Sequence, residues 1–256
     1  MAKLVRISDI SAEDIASVCD HTYLNRPEAF RGKAENPVMQ RREDFYKFMK
    51  DMIDSPIKPY AVCVRAEDIK HAGEMLKEHN NEGIVLAAVV GFPDGAWYTT
   101  DFKVAEAKLA VKYGATEVDM VLNYELLKEG SLKAVKKDIL SVVNKAHSLN
   151  ALAKIIFETS ELTNYDIVNC CKLAEECNAD FVKTSTGFSS SGAKAEGLKL
   201  MRENFSKGVK MSGGVNAENV KSLLEAVSGR DDGMIELDPM RVRIGESSLI
   251  AALLKK

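Results

Sequence analysis

The chain has 256 residues, 46% of them hydrophobic, enough to bury a substantial core as one large unit or two smaller ones. Its 35 Lys and Arg stand against 38 Asp and Glu, and the resulting net charge of −3 gives no electrostatic case for nucleic acid or a membrane surface as partner. No run is long and apolar enough to span a bilayer, and the opening MAKLVRISDISAEDIA lacks the apolar stretch of a signal peptide, so a cytoplasmic protein is expected.

In chain order, short apolar runs predict strands over Ser17–Thr22, Tyr60–Val64, Ile84–Gly91, Glu117–Leu122, Ala153–Glu158, Asp180–Ser185, Gly208–Gly213 and Val242–Gly245. From the second onward they begin about 24 to 36 residues apart, a spacing that suits repeated βα units and a parallel sheet. Between the first two strands, the polar stretch Arg26–Pro56 predicts a helix near Gln40–Ile53 that decorates one end of the fold. Further on, Thr100-Asp101 can open a helix that Gly114 closes. Ser131 can cap the segment with Val135, Ile139 and Val142, Thr163 the one with Ile167 and Cys171, and Asn216 the one with Val220 and Leu223. Eight such strands without a Gly-rich dinucleotide fingerprint favour a closed (β/α)8 TIM barrel, a single domain over residues 1–256 with an N-terminal helical decoration.

Cys19, Cys63, Cys170, Cys171 and Cys177 are odd in number and lack zinc spacing, so they read as reduced, buried thiols; only Cys63 falls where a strand could turn it toward a pocket. The histidines are scattered, and His71 and His79 read as surface residues of a helix.

Four consecutive strands carry an ionisable residue in mid-run: Asp119, Lys154, Lys183 and Lys210. Side chains alternate along a strand, so each points either outward under the helices or into the barrel. An unpaired lysine is costly in the apolar layer beneath the helices, which places these four inside, toward a solvated pocket. A single mid-strand lysine more often snorkels to solvent from a strand end; three in succession beside an aspartate favour a catalytic amine. Neighbouring strands lie about 4.8 Å apart, so the lysines would repel one another and lose affinity for protons. Asp119 can offset Lys154, its neighbour in strand order. Lys183, with cations on both sides and no adjacent carboxylate, is expected to be the neutral amine and nucleophile.

A second cluster follows the last three strands: Lys183-Thr184-Ser-Thr-Gly187, Ser212-Gly213-Gly214 and Gly245-Glu-Ser247-Ser248. Each motif alone could be turn punctuation. Together, at one end of adjacent strands, they favour backbone N–H groups arranged for a phosphate.

With Asp20-His-Thr, Val90-Gly-Phe-Pro93, Glu117-Val-Asp-Met-Val121, Phe181-Val-Lys-Thr-Ser-Thr-Gly187, Ser212-Gly-Gly214 and Arg243-Ile-Gly245, the chain resembles the deoxyribose-phosphate aldolases from about residue 15 onward. The resemblance implies reversible cleavage of 2-deoxy-D-ribose 5-phosphate to acetaldehyde and D-glyceraldehyde 3-phosphate, without metal or organic cofactor. By the same resemblance Lys183 would be the Schiff-base lysine, Lys210 the neighbour that lowers its pKa, and Asp119 the acid/base acting with a water. Lys154 would pair with Asp119 and contact substrate, and Asp20 would lie near it. Thr184, Gly187, Gly213, Gly214, Gly245, Ser247 and Ser248 complete the expected substrate-binding set. A homo-oligomer, with a dimer favoured, is the expected assembly.

Two positions depart from the family pattern. Asn216 replaces a common Arg, and Glu246 a small or hydroxyl residue, which predicts a weaker preference for phosphorylated aldehydes. Longer members carry a tyrosine-bearing tail, which a chain ending in Leu253-Leu254-Lys255-Lys256 is expected to lack. A Schiff-base aldolase for another sugar phosphate, or a non-catalytic sugar-phosphate binder on the same fold, are the alternatives; the joint presence of Asp119, Lys154, Lys183 and Lys210 speaks against the binder.

Overall fold

Eight of the predicted runs become strands of one closed parallel barrel in the computed structural model, which describes residues 3–255. They are β2 (Cys19–Tyr23), β3 (Ala61–Arg65), β4 (Val85–Val90), β5 (Glu117–Val121), β6 (Leu152–Ile156), β7 (Phe181–Lys183), β8 (Gly208–Ser212) and β10 (Val242–Glu246). The order runs from β2 through β8 in sequence, and β10 closes the ring between β8 and β2. Helices follow the strands around the outside, as the βα spacing predicts. None of the described helices is long and apolar enough to cross a membrane.

Two further strands escaped sequence reading. β1 (Lys3–Arg6) pairs antiparallel with β9 (Met234–Leu237) in a separate two-stranded sheet. Three of the four β1 residues are exposed, so it carries no apolar alternation. The first predicted strand also begins later than expected, because Ala12–Ala16 is a helix whose C-cap is Ser17. The helix expected near Gln40–Ile53 spans Pro37–Asp54, with Asn36 accepting from Met39 N–H and Pro37 in the first turn.

The helix caps agree only in part with the sequence reading. Thr99 rather than Thr100 caps Thr100–Lys112. Thr163 forms a full capping box with Asp166, whereas Ser131 makes no side-chain cap bond. Asn216 accepts from the N–H groups of Glu218 and Asn219, capping the turn before Val220–Ser228 rather than the helix itself.

Strand alternation divides the interior into two environments. Outward residues such as Val118, Met120, Ala153, Ile155, Val209 and Met211 belong to the main core shared with the helices. Inward, Cys63, Ala87, Val89, Val121 and Ile156 form a small apolar cluster with Leu24 and Phe92. The rest of the lumen holds the charged residues described below. Gly208 is inward and has no room for a side chain: an added Cβ would lie 2.1 Å from the ring of Phe181 on the neighbouring strand. We predict that Gly208→Ala lowers stability by about 1–3 kcal/mol through overpacking. Urea denaturation checks this; an unchanged midpoint would contradict the packing described.

Candidate active site

The register of the barrel brings the mid-strand charges together. Asp119 on β5 pairs across to Lys154 on β6, and Lys183 on β7 to Lys210 on β8, which in turn faces Arg243 on β10. All point inward. Lys154 Nζ donates to Asp119 Oδ1 at 2.7 Å, while Lys183 Nζ at 2.9 Å and Lys210 Nζ at 2.7 Å share Asp119 Oδ2. Lys210 also donates to Asp20, and Arg243 bridges Asp20 to Glu117. Glu117 completes the circuit by accepting from Lys154. Below them Arg243 lies over the Tyr60 ring, 4.0 Å from its centroid.

Two expectations change here. Lys183 does have a carboxylate partner: β5 and β7 are not neighbours, but their side chains converge on the barrel axis and Asp119 reaches across. The pocket is also less wet than expected. Asp20, Asp119, Lys154 and Lys210 have no solvent exposure, and Lys183 keeps only 2%. Such burial is tolerable because the charges pair with one another.

Counting the network gives four basic groups, Lys154, Lys183, Lys210 and Arg243, against three carboxylates, Asp20, Glu117 and Asp119. One positive charge is in excess, and Lys183 is the lysine that gives it up most readily. Burial pulls the Lys183 ammonium below its ordinary range; Asp119 opposes this, and the charge of Lys210 adds to it. Burial acts on Lys210 in the same direction, but Asp119 and Asp20 overcome it and hold Lys210 above its ordinary value. Lys154 is likewise raised against burial, by Asp119 and Glu117. Burial pushes Asp119 up, yet the three lysines together hold it well below the usual carboxylate range. The arrangement therefore sets the most easily deprotonated of the interior amines beside an anchored carboxylate and a persistent ammonium.

Lys183 lines a cleft of about 410 Å³ at the C-terminal mouth of the barrel, together with Gly187, Gly213, Gly214, Gly245, Ser247 and Ser248. Gly245 is inward and must lack a side chain, since a Cβ would meet Ser212 Oγ at 2.3 Å and crowd Lys210. Gly187 and Gly213 adopt positive φ where their loops cross. Among the described residues the backbone N–H groups of Gly214, Ser247 and Ser248 have no hydrogen-bond partner, which leaves them for an anion. A second cavity, about 660 Å³, lies beside this cleft and contacts none of the interior charges. No set of three or more His, Cys, Asp or Glu among the described residues is placed to hold a metal ion.

Three residues expected to touch substrate do not line the cleft. Asp20 and Lys154 lie beneath it in the charge network, and the Thr184 hydroxyl is used across strands, donating to Ser212 O and accepting from Ser212 N–H. Glu246 also borders the cleft, though its side chain is buried. Its side chain is on the outward face, accepting from Leu249 N–H and bonded to His21 Nδ1 at 2.7 Å, so it does not confront an anion in the cleft. Asn216 remains at the cleft.

Sequence reading missed Glu117 and Arg243, which close the network, and Glu158. Glu158 holds the Thr186 N–H and hydroxyl at the cleft, in a left-handed backbone conformation. It also missed that the Ser185 and Ser212 hydroxyls are buried without partners among the described residues. Cys63 does face inward, 4.0 Å from Asp119.

Residues 15–237 match the DeoC/LacD family aldolases, and the chain belongs to that family. Among curated relatives it is 40% identical over 224 residues to the deoxyribose-phosphate aldolase of Aciduliprofundum boonei, covering 86% of this chain and 93% of the relative. It is 43% identical over 223 residues to that of Thermoanaerobacter sp. strain X514, covering 85% and 91%. Among solved structures, the aldolase QR15 superposes with a TM-score of 0.73 at 28% identity, covering 94% of this chain and 95% of that one. The tetrameric deoxyribose phosphate aldolase of Aeropyrum pernix shares the fold, with a TM-score of 0.72 at 24% identity and coverage of 96% and 92%.

The electrostatics make a prediction. Removing the charge of Lys210 raises the Lys183 pKa, so more alkaline conditions are needed to free the amine. In Lys210→Met, the pH midpoint for trapping acetaldehyde on Lys183 with cyanoborohydride is expected to lie above that of the wild type. An unmoved or lowered midpoint would contradict the coupling.

Proposed function

We propose that this chain is a class I aldolase that reversibly cleaves 2-deoxy-D-ribose 5-phosphate to acetaldehyde and D-glyceraldehyde 3-phosphate. The observation that carries this reading is the Lys183 amine, its proton affinity lowered by burial, at the floor of the cleft and backed by Asp119 and Lys210. A neutral amine adds to the aldehyde carbon of the open-chain sugar, and loss of water leaves an iminium. That step places a positive charge on the Lys183 nitrogen beside the Asp119 carboxylate, which stabilises it.

Cleavage then needs a proton taken from the C3 hydroxyl as the C2–C3 bond breaks, with the iminium accepting the electron pair to form an enamine. We assign this proton movement to Asp119 through a water and to Lys210, which stays protonated and can return a proton to the enamine carbon. Hydrolysis of the resulting iminium releases acetaldehyde and restores the amine. Gly187, Gly213, Gly214, Gly245, Ser247 and Ser248 are assigned to the substrate, with the unpaired N–H groups of Gly214, Ser247 and Ser248 on the phosphate. Lys154, Asp20 and Thr184 act from beneath, holding Asp119, Lys210 and the β7–β8 junction in place. A cytoplasmic location, one domain over residues 1–256 and self-association as a dimer belong to the same reading.

Incubation with acetaldehyde and borohydride, followed by mass spectrometry, tests the chemistry. A two-carbon adduct on Lys183, absent from Lys183→Ala, is expected; an unmodified wild type under conditions that trap a control aldolase would overturn it. Phosphate recognition by backbone N–H groups alone makes a second prediction. Asn216→Arg supplies a guanidinium at the cleft and should lower KM for the phosphorylated sugar about threefold to tenfold with little change in kcat. An unchanged KM would place the phosphate elsewhere.

A further inference from the structure

The cavity of about 660 Å³ lies between the loops that follow β2 and β3 and the helices Pro37–Asp54 and Ile69–Glu78. Four guanidiniums line it, Arg26, Arg41, Arg42 and Arg65, against the two carboxylates of Glu67 and Asp68. Arg41 is already spent: both terminal nitrogens go to Asp68 and its Nε to Asn25 O. That leaves Glu67 as the one lining carboxylate for three cations.

Arg65 is the informative member. It is 93% buried, with 7% exposure, and its guanidinium sits over the Phe92 ring at 5.9 Å. Only its Nε has a partner, Glu67 at 2.9 Å; among the described residues Nη1 and Nη2 have none. Neither Nη atom is sealed from solvent, so this bidentate edge opens onto the cavity, where it is free to meet a ligand. Arg26 uses only Nη2, on Phe92 O at 3.1 Å and on Tyr98 Oη, and exposed Arg42 has no hydrogen bond among the described residues.

We propose that this cavity is a second anion site, built for the dianionic phosphate group of a small phosphorylated metabolite. The net charge of the lining is two positive, which a phosphate monoester matches and a carboxylate does not. The planar edge of Arg65 presents two parallel N–H donors, the geometry that suits phosphate oxygens. The site adjoins the catalytic cleft: Asn25 lines both, and Phe92 stands between Arg65 and Phe188 of the cleft, its ring 5.2 Å from that of Phe188. It lies on the βα-loop side of the barrel, where ligands of this architecture bind.

The side-chain Nε–Hε resonance of Arg65, followed by nitrogen–proton NMR on the full chain, reports on this cavity. Inorganic phosphate is expected to shift it saturably, while acetate and chloride at matched ionic strength do not. Arg42→Ala, an exposed change that leaves the fold and the basal aldol-cleavage rate intact, is expected to weaken phosphate binding at Arg65 about tenfold. The proposal is overturned if Arg65 fails to shift with phosphate up to roughly 10 mM, a range that covers even weak sites. Equal shifts with acetate or chloride, or an unaltered phosphate titration in Arg42→Ala, would also overturn it.

Discussion

The structure depends on one carboxylate. Asp119, without solvent contact at the centre of the barrel, accepts from three lysines on three strands. Without it, Lys154, Lys183 and Lys210 would be buried cations facing one another in a low-dielectric lumen, a state a protein does not sustain. With it, and with Asp20 and Glu117 behind, all but one of the positive charges are matched. The mismatch is useful, because the least costly way to remove it is to leave one lysine unprotonated. Lys183 is the lysine that yields its proton most easily, having Asp119 alone as its carboxylate while Lys154 and Lys210 each bond two.

The same alternation that gathers these charges also shapes the space above them. Residues two apart on one strand share the lumen, so Lys210 and Ser212 stack along β8 and Gly245 on β10 stays bare to admit them. The loops beyond then need backbone rather than side chains at the cleft, and their free N–H groups are what remains to meet an anion. In the reading proposed above, chemistry and recognition fall to different materials: buried side chains for the reaction, exposed loop backbone for the phosphate.

Much of this was legible in the sequence for a definite physical reason. A charge within an apolar, β-branched run is anomalous, so Asp119, Lys154, Lys183 and Lys210 were conspicuous, and the spacing of their strands fixed the barrel. Glu117 and Arg243 were not conspicuous, because each stands at or near the start of its strand, where charge is ordinary. Adjacency in strand order also misled: it gave Lys183 no carboxylate, whereas side chains in a narrow lumen meet across the axis. Glu246 could be read either way until register showed it facing outward, opposite His21. The β1–β9 pair joins residues 3–6 to residues 234–237, and nothing local marks a contact of that range.

Among the interior lysines, Lys183 is the one whose proton is held least tightly, and the choice of nucleophile depends on that. The direct measurement is a pH titration of the lysine ε-carbons by NMR in carbon-13-labelled protein, with resonances assigned through Lys183→Ala and conservative changes at Lys154 and Lys210. The account predicts that Lys183 releases its proton below the ordinary lysine pKa of about 10.4, while Lys154 and Lys210 remain protonated beyond it. Should Lys183 stay charged as long as they do, or Lys210 titrate first, the charge count would not select the nucleophile and the central claim would fail.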